Sequence, residues 1–152
     1  MRNKMKVVII GPSKRFLSGI SYFTIRLSNA LSDVTDVETI LFRKMLPKRL
    51  FPGWKRVGKE LTTQNFDKRV DVYEILDWYN PVTWMRAFGI AKEADVIVFQ
   101  WWTSSVAHMY LVLEILNLRR RPIIIEFHEV VDPLESSILP IRIYSKLMGK
   151  LI

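Results

Sequence analysis

The feature that most constrains the fold is a regular alternation of short aliphatic runs and longer segments with helical periodicity. The runs are rich in valine and isoleucine and have the length of strands. The predicted strands span residues 6–11, 37–42, 70–76, 95–101 and 122–127. The predicted helices span about 20–32, 80–94, 104–118 and 137–150. Apolar strands that alternate with helices indicate a parallel sheet covered on both faces. We therefore predict an α/β fold, a Rossmann-like three-layer α/β/α domain with a mainly parallel sheet.

The composition agrees with one such domain. The chain has 152 residues, of which 49% are hydrophobic, enough for a core of its own. It contains no cysteine, which excludes disulfides and thiolate chemistry and favours an intracellular protein. No apolar stretch reaches the roughly 18 residues of a membrane span, and the first apolar run is too short for a signal peptide. We expect a soluble, cytoplasmic protein.

The positive charge is concentrated in one segment. The whole chain has a net charge of +8, and residues 43–69 alone hold nine basic and two acidic residues, a net charge of +7. Prolines, glycines and aromatic residues interrupt this segment, which predicts a long basic loop or insertion. A solvated loop and contact with an anionic membrane both fit this pattern, whereas no recognised nucleic-acid-binding fold surrounds it. The candidate membrane contacts are Lys48, Arg49, Phe51, Trp54, Lys55 and Arg56.

Polar and aromatic residues follow the carboxyl ends of several predicted strands, where parallel α/β sheets bind their ligands. The fifth strand contains three consecutive isoleucines, which predict burial on both faces, and it delivers His128 to this edge. A neutral imidazole can donate to or accept from a hydroxyl group. The alternative is a histidine held by backbone groups in a loop. The candidate acceptor contacts at these ends are Trp78, Gln100, Trp101 and Glu129.

Each of these candidates has a structural alternative. Glu129 also fits a solvated or helix-capping residue, and at least one of the two adjacent tryptophans, Trp102 in preference to Trp101, also fits the core. The spacing of His128 and its flanking glutamates does not form a metal site, and His108 adds no second ligand. We expect no metal, and we expect His108, in an apolar helix, to be structural or partly exposed.

The loop "GPSKRFLSGIS" joins the first strand to the first helix. It contains neither the dinucleotide fingerprint G-x-G-x-x-G nor a Walker loop. It does place Gly19 immediately before a helix, where free N–H groups and the helix dipole favour an anion. The alternative is that Gly19 only lets the chain turn onto the sheet.

Three stretches together resemble the amino-terminal domain of a family 4 retaining glycosyltransferase of the GT-B fold. They are "SGIS" at 18–21, "ADVIVFQWW" at 94–102 and "PIIIEFHEVVDP" at 122–133, and the last is the most specific. The chain has Ser18–Gly19 where that family usually has two glycines, and Glu129 where aspartate is common.

The resemblance implies one half of a GT-B architecture, in which this domain binds the acceptor and a second domain holds most of the nucleotide-sugar. That second, carboxyl-terminal domain is absent from the 152 residues. Carried onto matching positions, Ser18, Gly19 and Ile20 are the expected donor contacts, and His128 is the expected catalytic residue at the transferred sugar. The implied reaction is sugar transfer with retention, with a nucleotide-sugar as co-substrate and no other cofactor. We expect the domain alone to be inactive.

The expected partners are a nucleotide-sugar donor and a sugar, lipid-linked or other acceptor, with no nucleic acid. The expected location is cytoplasmic or peripheral at the inner face of the membrane. A rival hypothesis is a non-enzymatic α/β module that docks on a membrane or a protein through residues 43–69. A nucleotide-binding oxidoreductase half is disfavoured because the dinucleotide fingerprint is missing.

Overall fold

Five strands and four α-helices make up the part of the chain that a computed structural model describes, residues 4–16, 19–45, 63–128 and 137–152. The strands are β1 (Lys6–Pro12), β2 (Asp36–Lys44), β3 (Val70–Asp77), β4 (Val96–Trp101) and β5 (Ile123–Phe127). The helices are α1 (Gly19–Ser32), α2 (Pro81–Ala91), α3 (Ala107–Leu116) and α4 (Leu139–Leu151), with a short 3₁₀ helix, Ser104–Val106, before α3. Each predicted element is present, and most of the differences in length are one to three residues at an end.

The strands form one parallel sheet in the order β3-β2-β1-β4-β5. The predicted α/β, Rossmann-like class is confirmed. From β1 the chain proceeds outward to β2 and β3, then crosses back to β4 on the other side of β1. The loops that follow β1 and β4 therefore leave the sheet in opposite directions. Such a switch point opens a crevice at the carboxyl edge of the sheet, which is where ligands of this class of fold bind.

The larger apolar core lies between the sheet and helices α2, α3 and α4. It contains Val8 and Ile10 of β1, together with residues of β2, β3 and β4 that point to the same face. At its centre the rings of Phe99 and Tyr110 stack with centroids 4.3 Å apart. The Tyr110 hydroxyl donates to the carbonyl of Gln100 at 2.9 Å. Burial raises the pKa of Tyr110, so this hydroxyl stays protonated at any physiological pH.

The opposite face is covered by α1 through a smaller apolar cluster and a buried polar seam. The apolar cluster centres on Val7, Ile9, Val37, Val70 and Val98. The polar seam consists of four residues with no exposed surface, Thr24, Ser28, Thr39 and Gln100. Ser28 Oγ donates to the Thr24 carbonyl at 2.7 Å and lies 3.1 Å from Thr39 Oγ1. Because buried hydroxyls are costly without partners, these bonds fix the position of α1 along the sheet.

The prediction that the isoleucines of β5 are buried on both faces is wrong. Ile123 and Ile125 are only partly buried against the larger core, and Ile124 on the other face is 54% exposed. The reason is position, because β5 is the last strand of the sheet and α1 packs mainly over β1 and β2. An aliphatic run predicts a strand, but the strand's place in the sheet decides how much of it is covered.

The start of α2 was predicted from Asn80 and Pro81 and has the expected geometry. Asn80 Oδ1 accepts from the Val82 backbone at 3.1 Å, and Pro81 occupies the first helical position, where no N–H is needed. Within the described ranges, no helix combines the length and apolarity that crossing a membrane requires.

Candidate functional site

His128 follows β5 directly and lies on the α1 side of the sheet edge. Its backbone N–H donates to the carbonyl of Trp101 at 2.9 Å, which extends the pairing of β4 and β5 by one residue. Its side chain is 17% exposed, and Nε2 is buried without a hydrogen-bond partner among the described residues. Oε2 of Glu126 is 3.9 Å from Nε2, too far for a direct hydrogen bond. The structure thus places an imidazole at the carboxyl edge, with one ring nitrogen that has no hydrogen-bond partner in the described part of the chain.

Glu126 is a site residue that sequence reasoning did not select. Side chains on a strand alternate, so Ile124, Glu126 and His128 share the α1 side of β5. The Glu126 side chain is 32% exposed, so it reaches solvent beside the imidazole. The two-residue spacing in "EFH" was the available signal, because it places two ionisable groups on one face at the end of a strand.

Phe23, one turn into α1, lies next to His128. The ring of Phe23 contacts the imidazole edge-on, with centroids 5.2 Å apart. Phe23 is four residues after Gly19, so both lie on one side of the helix, about 6 Å apart along its axis. Side chains on a helix lean toward its amino terminus, which brings this contact closer to Gly19. The structure therefore connects His128 to the helix that Gly19 begins, through the contact with Phe23 one turn further along.

The turn before α1 is closed by hydrogen bonds and carries positive charge. Ser21 Oγ donates to the carbonyls of Ser13 and Phe16, at 2.9 and 2.8 Å. Ser13 is 2% exposed, and its hydroxyl has no partner in the part of the chain described. Lys14 donates to Asn65 and Arg15 pairs with Glu74 at 2.8 Å, so both cations are held at this turn. A β-carbon built on Gly19 meets no atom of the described residues within 4 Å.

Gly11 and Gln100 meet at the switch point between β1 and β4. A β-carbon on Gly11 would lie 2.6 Å from Gln100 Oε1 and 3.1 Å from Thr24 Oγ1, so only glycine lets the amide cross this strand. Thr24 donates to the Ile20 carbonyl at 2.8 Å and also contacts the Gln100 amide. Gln100 Nε2 has no partner among the described residues. Rotating the amide by 180° would exchange the two groups, so one atom of the amide stays unpaired either way.

The predicted acceptor contacts differ in accessibility. Trp101 is 6% exposed and packs against Tyr110 and Phe127, with centroids 6.3 and 5.5 Å away. Gln100 has no exposed surface. Acceptor contact by these two side chains stays a prediction that requires them to become exposed. Trp78 is half-buried at the end of β3, with its backbone N–H bonded to the Lys44 carbonyl at 2.9 Å.

Several predicted contacts lie outside the described residues. They are Ser18, Glu129 and the six candidate membrane contacts Lys48, Arg49, Phe51, Trp54, Lys55 and Arg56. The third predicted donor contact, Ile20, is only 8% exposed in the first turn of α1, where backbone N–H groups have no partner within the helix.

Charged side chains at the carboxyl ends of β2 and β3 form ion pairs and hydrogen bonds. Asp77 is 2% exposed, and both of its carboxylate oxygens accept from Arg43, at 3.2 and 2.8 Å. This bidentate hydrogen bond and the charge of Asp77 raise the pKa of Arg43. Lys44 Nζ bonds the Tyr79 hydroxyl at 3.0 Å, and that contact raises the pKa of Lys44. Because both carboxylate oxygens of Asp77 accept hydrogen bonds from Arg43, Asp77 joins the ends of β2 and β3 and is not available as a base.

His108 is tied into the core between helices. Its Nδ1 lies 2.8 Å from the Tyr144 hydroxyl and its Nε2 lies 2.8 Å from the Trp78 carbonyl. The ring of Trp84 contacts it edge-on with centroids 5.3 Å apart. Both ring nitrogens are therefore occupied, which gives this histidine a structural role. Over the described ranges, no three histidine or acidic side chains cluster as a potential metal site.

Comparison with known proteins does not assign a family. A scan against protein-family models finds no match, and a search of curated proteins finds none. The function is therefore argued from the residues and their geometry.

Proposed function

We propose that this chain is the amino-terminal, acceptor-side domain of a retaining glycosyltransferase that uses a nucleotide-sugar donor. The observation that carries the proposal is His128: an imidazole at the carboxyl edge of a parallel sheet, in contact with Phe23 of α1, whose Nε2 has no hydrogen-bond partner among the described residues. The order β3-β2-β1-β4-β5 supports a crevice at that edge. The resemblance of "SGIS" and "PIIIEFHEVVDP" to a family 4 glycosyltransferase supports the reaction class.

The first turn of α1 suits the diphosphate of the donor. The initial N–H groups of a helix have no partners within it, and the helix dipole favours negative charge there. No atom of the described residues lies within 4 Å of where a Gly19 side chain would stand, so a phosphate can approach the backbone. In the preceding turn Lys14 adds a positive charge that, among the described residues, is bonded only to a neutral amide, whereas the charge of Arg15 is paired with Glu74.

His128 and Glu126 suit the hydroxyl groups of the transferred sugar. With 3.9 Å between Nε2 and Glu126 Oε2, one hydroxyl oxygen can lie within hydrogen-bond distance of both atoms. The hydroxyl would donate its hydrogen to the carboxylate and accept a hydrogen bond from Nε2–H. These two bonds would orient the sugar without a metal ion. Because Nε2 is covered in this structure, the hydroxyl reaches it after a local movement, and the Phe23 ring, 37% exposed, is the contacting group that can turn aside. Catalysis would then come from positioning and electrostatics at the crevice.

The test is sugar transfer by the complete gene product with a panel of nucleotide-sugars. We expect His128→Ala to lower turnover by about 10²-fold, about 2.7 kcal/mol of transition-state stabilisation, with an unchanged circular dichroism spectrum. Glu126→Gln should weaken transfer, whereas the matched control Glu114→Gln, on the exposed side of α3, should not. No transfer from any nucleotide-sugar would refute the function. Transfer that is unchanged in His128→Ala would refute the role of His128 alone.

A further inference from the structure

The exposed side of α4 carries four large aliphatic residues in a row. Leu139, Ile143, Leu147 and Leu151 are spaced four residues apart, so they form one stripe along the helix. They are 57%, 60%, 54% and 51% exposed. Isolated exposed aliphatic residues are ordinary, but a continuous stripe of this length on one helix indicates a contact surface.

The orientation of this stripe is fixed by contacts on the opposite side of α4. The Tyr144 hydroxyl bonds His108 Nδ1 at 2.8 Å, and Ser145 Oγ lies 2.6 Å from Ser104 Oγ. Met148, 8% exposed, enters the larger core. These three anchors hold one side of the helix against the protein, so the aliphatic stripe faces outward.

A row of basic residues runs beside the stripe. Arg142, Lys146 and Lys150 are exposed and also stand four residues apart, one position before Ile143, Leu147 and Leu151. The helix contains no acidic residue. An apolar stripe bordered by cations is the pattern of helices that lie in the plane of a lipid interface, with the aliphatic side chains among the acyl chains and the cations at the headgroups.

We infer that α4 docks this protein on an anionic phospholipid surface. Charge decides between the possible occupants of the stripe. A second copy of the chain packed on the same stripe would bring two sets of three cations together, in a protein whose net charge is already +8. An anionic bilayer would bury the apolar stripe among its acyl chains and place its negative headgroups beside the three cations. This inference concerns a surface separate from the sugar-transfer site and holds whether or not sugar transfer is found.

The first experiment is co-sedimentation of the protein with phosphatidylcholine vesicles that contain or lack phosphatidylglycerol. We expect binding only to the anionic vesicles, weaker at high salt because the electrostatic part is screened. The triple variant Arg142→Gln, Lys146→Gln, Lys150→Gln should bind about 10²-fold more weakly, about fivefold for each cation lost. The charge-matched control Lys4→Gln, Arg86→Gln, Lys92→Gln removes three exposed cations elsewhere and should bind like wild type at fixed salt.

A second pair of variants tests the apolar stripe. Ile143→Ser with Leu147→Ser should reduce binding by at least about tenfold, whereas Val82→Ser with Met85→Ser, of similar exposure on α2, should not. Thermal melts should be close to wild type because the substituted side chains are all more than half exposed. Binding that survives both α4 variants would overturn the inference. So would wild-type dimers by light scattering that the serine variant dissociates, since the stripe would then belong to a second copy.

Discussion

The close contact between Gly11 and Gln100 predicts that a side chain added at Gly11 destabilises the protein. Gly11→Ala would place a methyl group 2.6 Å from Gln100 Oε1, where ordinary contacts begin at 3.4 Å. Gln100 has no exposed surface, and the Thr24 hydroxyl contacts the amide and would itself lie 3.1 Å from the new methyl group, so the amide has little room to withdraw. Adding a methyl group to a packed site costs about 1–3 kcal/mol. For a chain of 152 residues, each kcal/mol lowers Tm by about 2–4 °C.

A double-mutant cycle measured by urea unfolding isolates the cause. Gln100→Ala removes the obstructing amide, so the methyl group should cost less in that background. We expect a coupling free energy of at least about 0.5 kcal/mol between the two positions. The matched control is Gly89→Ala in the last turn of α2, where a β-carbon meets no atom of the described residues within 4 Å. That substitution should stabilise the protein by about 0.5–1 kcal/mol. Additive effects of Gly11→Ala and Gln100→Ala, or no loss in Gly11→Ala alone, would refute the steric explanation.

Two further predictions concern a hydrogen bond in the core and the loss of stability at acidic pH. His108→Phe should lower the free energy of unfolding by about 1–3 kcal/mol because the Tyr144 hydroxyl and the Trp78 carbonyl lose their partner. Tyr144→Phe should cost less, and a purely additive double variant would argue against a shared bond. Hydrogen bonds from Arg69 lower the pKa of Asp67, so the stability this pair provides is present above the unfolded pKa of about 3.9 and is lost as the pH falls below it. Asp67→Asn should therefore flatten the acid limb of a pH–stability curve, and a variant that keeps the wild-type slope would contradict this.

Local pattern was sufficient to predict the elements of this fold. Val and Ile runs and helical spacing are properties of neighbouring residues, and they predicted the strands and helices that the structure describes. The capping sequence Asn80–Pro81 predicted the start of α2 for the same reason, because a cap involves only adjacent backbone. The arrival of His128 at a strand end likewise followed from the length of the preceding apolar run.

Local sequence pattern could not predict contacts between residues that are distant along the chain. Gln100 and Thr24 are 76 positions apart, and only the placement of β4 beside β1 brings the amide over Gly11. The contact between Phe23 and His128 similarly depends on which helix covers which strand. The adjacent tryptophans predicted that at least one lies in the core and favoured Trp102, but Trp101 is the buried one, since strand alternation has two phases and the larger core selects one of them.

The sequence by itself therefore determined an α/β domain with a parallel sheet, and it brought His128 and Gly19 to strand and helix ends. The tertiary structure decided the strand order, the exposed position of β5 at the sheet edge, and the placement of His128 beside Phe23 and Glu126. The physical reason is that hydrophobic periodicity reports whether a residue has a buried side, whereas packing among all the elements decides what covers it.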